Sequence, residues 1–165
     1  MMVADPALVP GGPDAEAGLH AELRALYAEL DAEVSRLAPV CQLSGRCCRF
    51  REYGHTLFVS QPEIQFLLSE APAPQRPLDH GATCPWQDLL GRCTARQGRP
   101  LGCRVYFCDP SYDAAPELSE RYLARLQQLA RRHGLPWNYA PFHRHLHQQH
   151  REGRLRIPVA DAEPA

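Results

Sequence analysis

Seven cysteines in two short stretches restrict what this 165-residue chain can fold into more than any other feature. Cys41, Cys47 and Cys48 lie in CQLSGRCC, residues 41–48, while Cys84, Cys93, Cys103 and Cys108 lie in CPWQDLLGRCTARQGRPLGCRVYFC, residues 84–108. Inert buried cysteines would not cluster in this way. A thiol with a pKa near 8.5 is mostly protonated at neutral pH, so gathering many of them makes chemical sense where a cation stabilises the thiolates. The N-terminus lacks a basic start followed by an apolar run, and no stretch approaches about 18 consecutive apolar residues, so we expect a cytoplasmic protein that makes no use of a membrane. In that reducing compartment an odd count of seven argues for metal ligation or redox work over a disulfide framework.

Seven soft donors exceed the four that one tetrahedral zinc takes. Two ions, a bridged pair or an iron–sulfur cluster would use the surplus. Cys47 and Cys48 are adjacent, and adjacent side chains in extended backbone point to opposite faces, which suits bridging or service to two neighbouring sites. The expected ligands are therefore Cys41, Cys47, Cys48, Cys84, Cys93 and Cys103, with Cys108 as a further thiol. The expected cofactor is a zinc or iron ion, with an iron–sulfur cluster as the alternative. Arg46, Arg49, Arg51, Arg92, Arg96, Arg99 and Arg104 flank these cysteines, suited to offsetting thiolate charge, although compositional bias and ordinary solvation explain them equally well. His55 follows the first cysteines closely and is read as a surface histidine, with a metal ligand or a partner of the ligands as the alternative.

Composition removes several chemistries. All 18 non-histidine basic residues are arginine, so Schiff-base and phosphate-loop lysine mechanisms are excluded. They stand against 19 acidic residues, a balance that argues against a dedicated nucleic-acid binder. No serine, histidine and aspartate are spaced as in a hydrolase motif.

The fold expected is a small, helix-dominated α+β domain with irregular cysteine-rich metal-binding loops. Residues 1–13 are rich in Pro, Gly and Ala and read as disordered. A single cysteine-cluster domain spans 14–142, and a histidine-rich polar tail 143–165. The spacing of Leu19, Leu23, Leu26, Leu30, Val34 and Leu37 predicts a helix over 14–37 with Asp14 as its cap. A β-prone run over 56–59 precedes a capping box, Ser60 to Glu63, that opens a helix over 61–70 burying Ile64, Leu67 and Leu68. Residues 71–80 read as an extended proline-rich connector, Cys84 to Cys93 as a tight reversal, and 117–133 as an amphipathic helix ended at Gly134. Arg99-Pro100 disfavours helix just before Cys103. The aromatic stretch 135–139 should anchor the C-terminal tail to the core. His143, His145, His147 and His150 are read as a solvated segment, with transition-metal binding as the other possibility.

Together the two cysteine stretches resemble the YkgJ-type cysteine-cluster family, described as a zinc- or iron-chelating domain. The family pattern is C-x2-C-x2-C-C followed by C-P-hydrophobic, a further C, and R-P-x2-C-R. Cys41, Cys47 and Cys48 match its first half, and Cys84-Pro85-Trp86, Cys93 and Arg99-Pro100-Leu101-Gly102-Cys103-Arg104 its second. The resemblance implies a metal-chelating protein. Larger relatives that act as flagellin lysine N-methylases make an iron–sulfur-dependent enzyme or accessory the alternative, and a zinc-knuckle RNA or protein interaction module is a third reading. Ser44 stands where the pattern has its second cysteine, which leads to the expectation that Cys108 supplies the missing donor. That requires residues 104–107 to turn irregularly and bring Cys108 sulfur within about 4 Å of another cysteine sulfur.

Overall fold

The computed structural model describes residues 12–41 and 45–158. Ser44 lies outside them. Helix α1, Pro13–Leu37, forms where the leucine stripe predicts it, burying Leu19, Leu23, Leu26, Leu30 and Val34. Gly12 rather than Asp14 occupies the cap position, because Pro13 fits the first helical turn, where its missing N–H costs nothing. Asp14 sits in that turn and favours the positive end of the helix.

Helix α1 packs against the Leu118, Tyr122, Leu126 and Leu129 face of a long helix over Ala115–Arg132, and Phe66, Leu101 and Val105 complete this apolar layer. Arginines of that helix also pair with glutamates of α1, Arg121 with Glu33 at 2.7 Å and Arg125 with Glu29 at 2.6 Å. Such exposed pairs fix register more than they stabilise, because water and salt screen them. Much of the arginine content thus has a structural use away from the cysteines.

The remaining elements are α2, Phe50–Tyr53; β1, Phe58–Val59; α3, Gln61–Glu70; α4, Leu101–Val105; α5, the Ala115–Arg132 helix; β2, Ala140–Pro141; and α6, Phe142–Arg151. The two strands pair antiparallel, Phe58 opposite Pro141 and Val59 opposite Ala140. The expected helix-dominated α+β class therefore holds, with a sheet of only two short strands. Among the described residues no helix is long and apolar enough to cross a membrane.

A second apolar cluster combines Phe50, Val59, Ile64, Leu67, Trp86, Phe142 and Leu146 with Cys48 and Cys84. Glu63 joins the two clusters. Its buried carboxylate accepts from Ser60 N–H at 2.8 Å, Ser60 hydroxyl at 2.9 Å, Tyr27 hydroxyl at 3.0 Å and Leu101 N–H at 2.8 Å. The predicted capping residue thereby ties α1 and the start of α4 to α3. Four donors around one carboxylate offset the desolvation that would otherwise exclude it from a core.

Helix α6 corrects the expected solvated tail. Phe142, His145, Leu146 and Gln149 are buried, and His145 Nε2–H donates to the Val59 carbonyl at 3.0 Å. Four positions at steps of three, four and seven make a core-facing stripe, with imidazole and amide standing where aliphatic side chains usually are.

Candidate metal centre

The connector and the second cysteine stretch fold against each other before any cysteine meets another. Trp86, almost fully buried, donates its indole N–H to the Pro72 carbonyl at 2.7 Å, and the Arg76 guanidinium donates to the Gln87 and Asp88 carbonyls at 2.7 and 2.9 Å. Residues 84–93 make the predicted tight reversal. Asp88 N–H donates to the Arg92 carbonyl at 2.8 Å, and Gln87 bridges Cys93 as in an antiparallel ladder. Cys84 and Cys93 thus stand on the two arms of a hairpin.

The first cysteine stretch docks onto this hairpin. Gln87 donates its side-chain amide to the Gly45 and Gly91 carbonyls, each at 3.1 Å. Gly45 has φ 72°, and a Cβ there would collide with the Gly91 carbonyl oxygen, so only glycine lets the chain approach this closely. A 3-10 turn over Arg46–Cys48 then turns Cys48 inward. Cys84 N–H donates to the Cys48 carbonyl at 2.8 Å, which links the two stretches through backbone.

Cys103 arrives on α4. The expected lack of helix just before Cys103 does not hold: a 3-10 turn spans Arg96–Gly98, and Pro100 caps a helix that begins at Leu101, so Cys103 lies on its first turn rather than on an irregular loop. Arg104, buried, holds the preceding loop in place. It donates to the Gln97 carbonyl at 2.6 Å and the Arg99 carbonyl at 2.7 Å, pairs with Asp31 at 2.7 Å and lies over the Tyr27 ring at 4.1 Å. Of the flanking arginines, Arg104 is therefore structural, while Arg96 and Arg99 line the same cavity as the thiols. Arg92 pairs with Asp88 at 3.6 Å, and Arg46 and Arg49 lie over the Tyr53 ring at 5.2 and 5.1 Å.

Cys41, Cys47, Cys48, Cys84, Cys93 and Cys103 border one cavity of about 150 Å3. Cys48 is its hub, with its thiol in hydrogen-bonding contact with those of Cys47, Cys84 and Cys93. All seven cysteines are thiols. Hydrogen bonding from the Cys48 thiol holds Cys47 down to about 7 and Cys93 down to about 6; the Ala95 N–H, Arg99 and Arg96 add to the effect at Cys93. The same contacts push Cys48 far up, and burial pushes Cys103 well above the ordinary thiol range. Two anion-favouring thiols thus adjoin two that hold their protons. Cys108 lines an adjoining hollow of about 260 Å3 that Cys41, Cys47, Cys48 and Cys93 also border, its thiol 3.9 Å from the Tyr106 hydroxyl.

His55 is half-buried beside this group. Its Nε2–H reaches the Cys47 carbonyl at 3.4 Å and its ring stacks on Tyr106 with centroids 5.6 Å apart. The supports that sequence reasoning missed are Gln87, Glu63 and Asp31, whose contacts span 42, 38 and 73 residues of chain. Local periodicity carries no signal at that range.

Among the described residues, no three His, Cys, Asp or Glu side chains already stand in an arrangement that could hold a metal ion. The chain matches no family model, no curated protein and no solved structure.

Proposed function

We propose that this protein chelates zinc or iron, as a bound ion or within an iron–sulfur cluster, through the cysteines that border the cavity between the hairpin, the Arg46–Cys48 turn and α4. The observation that carries the reading is the convergence of six cysteines from separate parts of the sequence on one cavity. Thiolate is a soft donor suited to zinc, copper(I) and iron–sulfur clusters, so the donor set fits the proposed group. Arg96 and Arg99 at the rim would compensate the charge of a polythiolate centre and limit its exposure to competing cations.

Cys47, Cys48, Cys84, Cys93 and Cys103 are the inner ligands in this reading, with Cys41 and Cys108 at the mouth. Cys48 and Cys103 still hold their protons. Metal binding releases those protons and opens the sulfurs around the ion. The same cysteines carry the resemblance to the YkgJ-type family, and we propose membership on that basis.

Thiol titration under native conditions tests the assignment. In protein isolated anaerobically, the inner five cysteines should resist a thiol reagent until a chelator removes the metal, and the exposed Cys41 should react first. Equal reactivity of all seven before and after chelation would remove the assignment.

A further inference from the structure

Helix α6 carries chemistry that the cysteine cavity does not use. His143 and His147 lie one turn apart at i and i+4, the spacing with which a helix presents two imidazoles on one face to a single zinc. The other two histidines of the helix have structural partners: His145 donates to Val59 from the core side, and His150 Nδ1–H donates to the Leu155 carbonyl at 3.0 Å.

A third imidazole comes from a turn distant in sequence. His80 adopts a left-handed backbone with φ 57°, and its ring stacks on His147 with centroids 5.8 Å apart and an interplanar angle of 22°. Asp79 Oδ1 fixes this turn by accepting the Ala82 and Thr83 N–H groups, each at 3.0 Å, and the Ala82 carbonyl accepts Arg51 N–H at 3.1 Å. Next to His80, Gly81 has φ 84°, and a Cβ there would stand 2.7 Å from His143 Nδ1. The backbone therefore lies directly against the His143 ring, so the turn is seated on α6 at both imidazoles.

We propose that His80, His143 and His147 form a second transition-metal site, which takes a borderline divalent ion such as nickel or zinc. Imidazole nitrogen suits such ions, and neutral imidazole is the binding form. The rings of His80 and His147 stack rather than aim nitrogens at one point, so binding requires the exposed His80 ring and the half-buried His147 ring to turn toward His143. Phe50 and Phe142 border both the thiol cavity and a small hollow lined by His143 and His147.

The site is tested with full-length protein as isolated, titrated with nickel(II) and followed by calorimetry and by the histidine ring signals in NMR. One equivalent should bind, broadening the signals of His80, His143 and His147 and leaving those of His20 and His133 sharp. H80A and H147A should each weaken binding at least about tenfold, and H133A should leave it within about twofold. Because His147 is half-buried, H147Q serves as a second variant if H147A alters the circular dichroism spectrum. Absence of nickel binding, or equal affinity in wild type and in an H80A/H147Q double variant, overturns the site. Neither result depends on the cysteine centre, which is read by its own metal content.

Discussion

Cys84 donates its backbone N–H to the carbonyl of Cys48 at 2.8 Å, so two cysteines 36 positions apart are joined through backbone where their thiols also meet. Side-chain rotation alone cannot carry their sulfurs far apart while the backbones are bonded in this way. The backbones that carry these two thiols are thus fixed against each other.

This geometry ranks the cysteines. The Cys48 thiol interacts with those of Cys47, Cys84 and Cys93 and borders both hollows, whereas Cys108 borders the one beside Tyr106. Cys48→Ala should abolish metal binding, and Cys108→Ala should lower occupancy by less than about half. Metal per chain after gel filtration, measured for both variants, checks the order. Equal losses would show that Cys108 belongs to the inner group.

Arg104 should prove essential for stability although it contacts no metal in this account. Arg104→Ala would leave the Gln97 and Arg99 carbonyls without their side-chain donor and remove a buried guanidinium from the Tyr27 face. A cost of about 3–5 kcal/mol is expected, read as a shift in the denaturant midpoint, with metal affinity falling as the loop before Cys103 loosens. Arg104→Lys should recover little, because one ammonium cannot reproduce the planar fork that serves Asp31 and two carbonyls.

If residues 143–150 were a solvated tract, removing the chain after Pro141 would leave metal content unchanged. The packed structure of α6 implies the opposite. Phe142 lies edge-on to Phe50 with ring centroids 6.4 Å apart and 6.2 Å from Trp86, against the wall of the thiol cavity. Phe142→Ala should cost about 3–5 kcal/mol in thermal or chemical unfolding, and the truncation should lose both folding and metal.

His145 gives the structure a pH dependence that is independent of the thiols. Burial depresses its pKa below the ordinary value of about 6.5. A depressed folded value favours the neutral ring, so its contribution is fully present above about 6.5 and is lost as pH falls through the folded value. Stability of the wild type should therefore decline below about pH 6.5, and His145→Gln, which keeps an amide donor for Val59 but cannot protonate, should decline less. Parallel pH profiles for the two proteins would contradict this.

Helices α1, α3 and α5 were legible in the sequence because aliphatic side chains mark their buried faces and proline or a capping box marks α1 and α3 at their starts. Helix α6 was not, since His145 and Gln149 fill half of a four-residue core stripe and hydrophobic periodicity counts them as solvent-facing. The cysteines themselves were legible from spacing. The convergence of six of them on one cavity was not, because it depends on Gly45, Gln87 and Arg104, which act through contacts across long stretches of chain. Ser44, on which the expected substitution by Cys108 turns, lies outside the described residues.

The central claim is best tested by elemental and sulfide analysis, with a visible spectrum, of full-length protein purified anaerobically from iron-replete cells. The account predicts at least about one zinc or iron per chain. Zinc would leave the protein colourless, and iron with inorganic sulfide would give a brown cluster. Protein that is folded, contains less than about a tenth of an equivalent of either metal and shows the same stability with and without a chelator would contradict it.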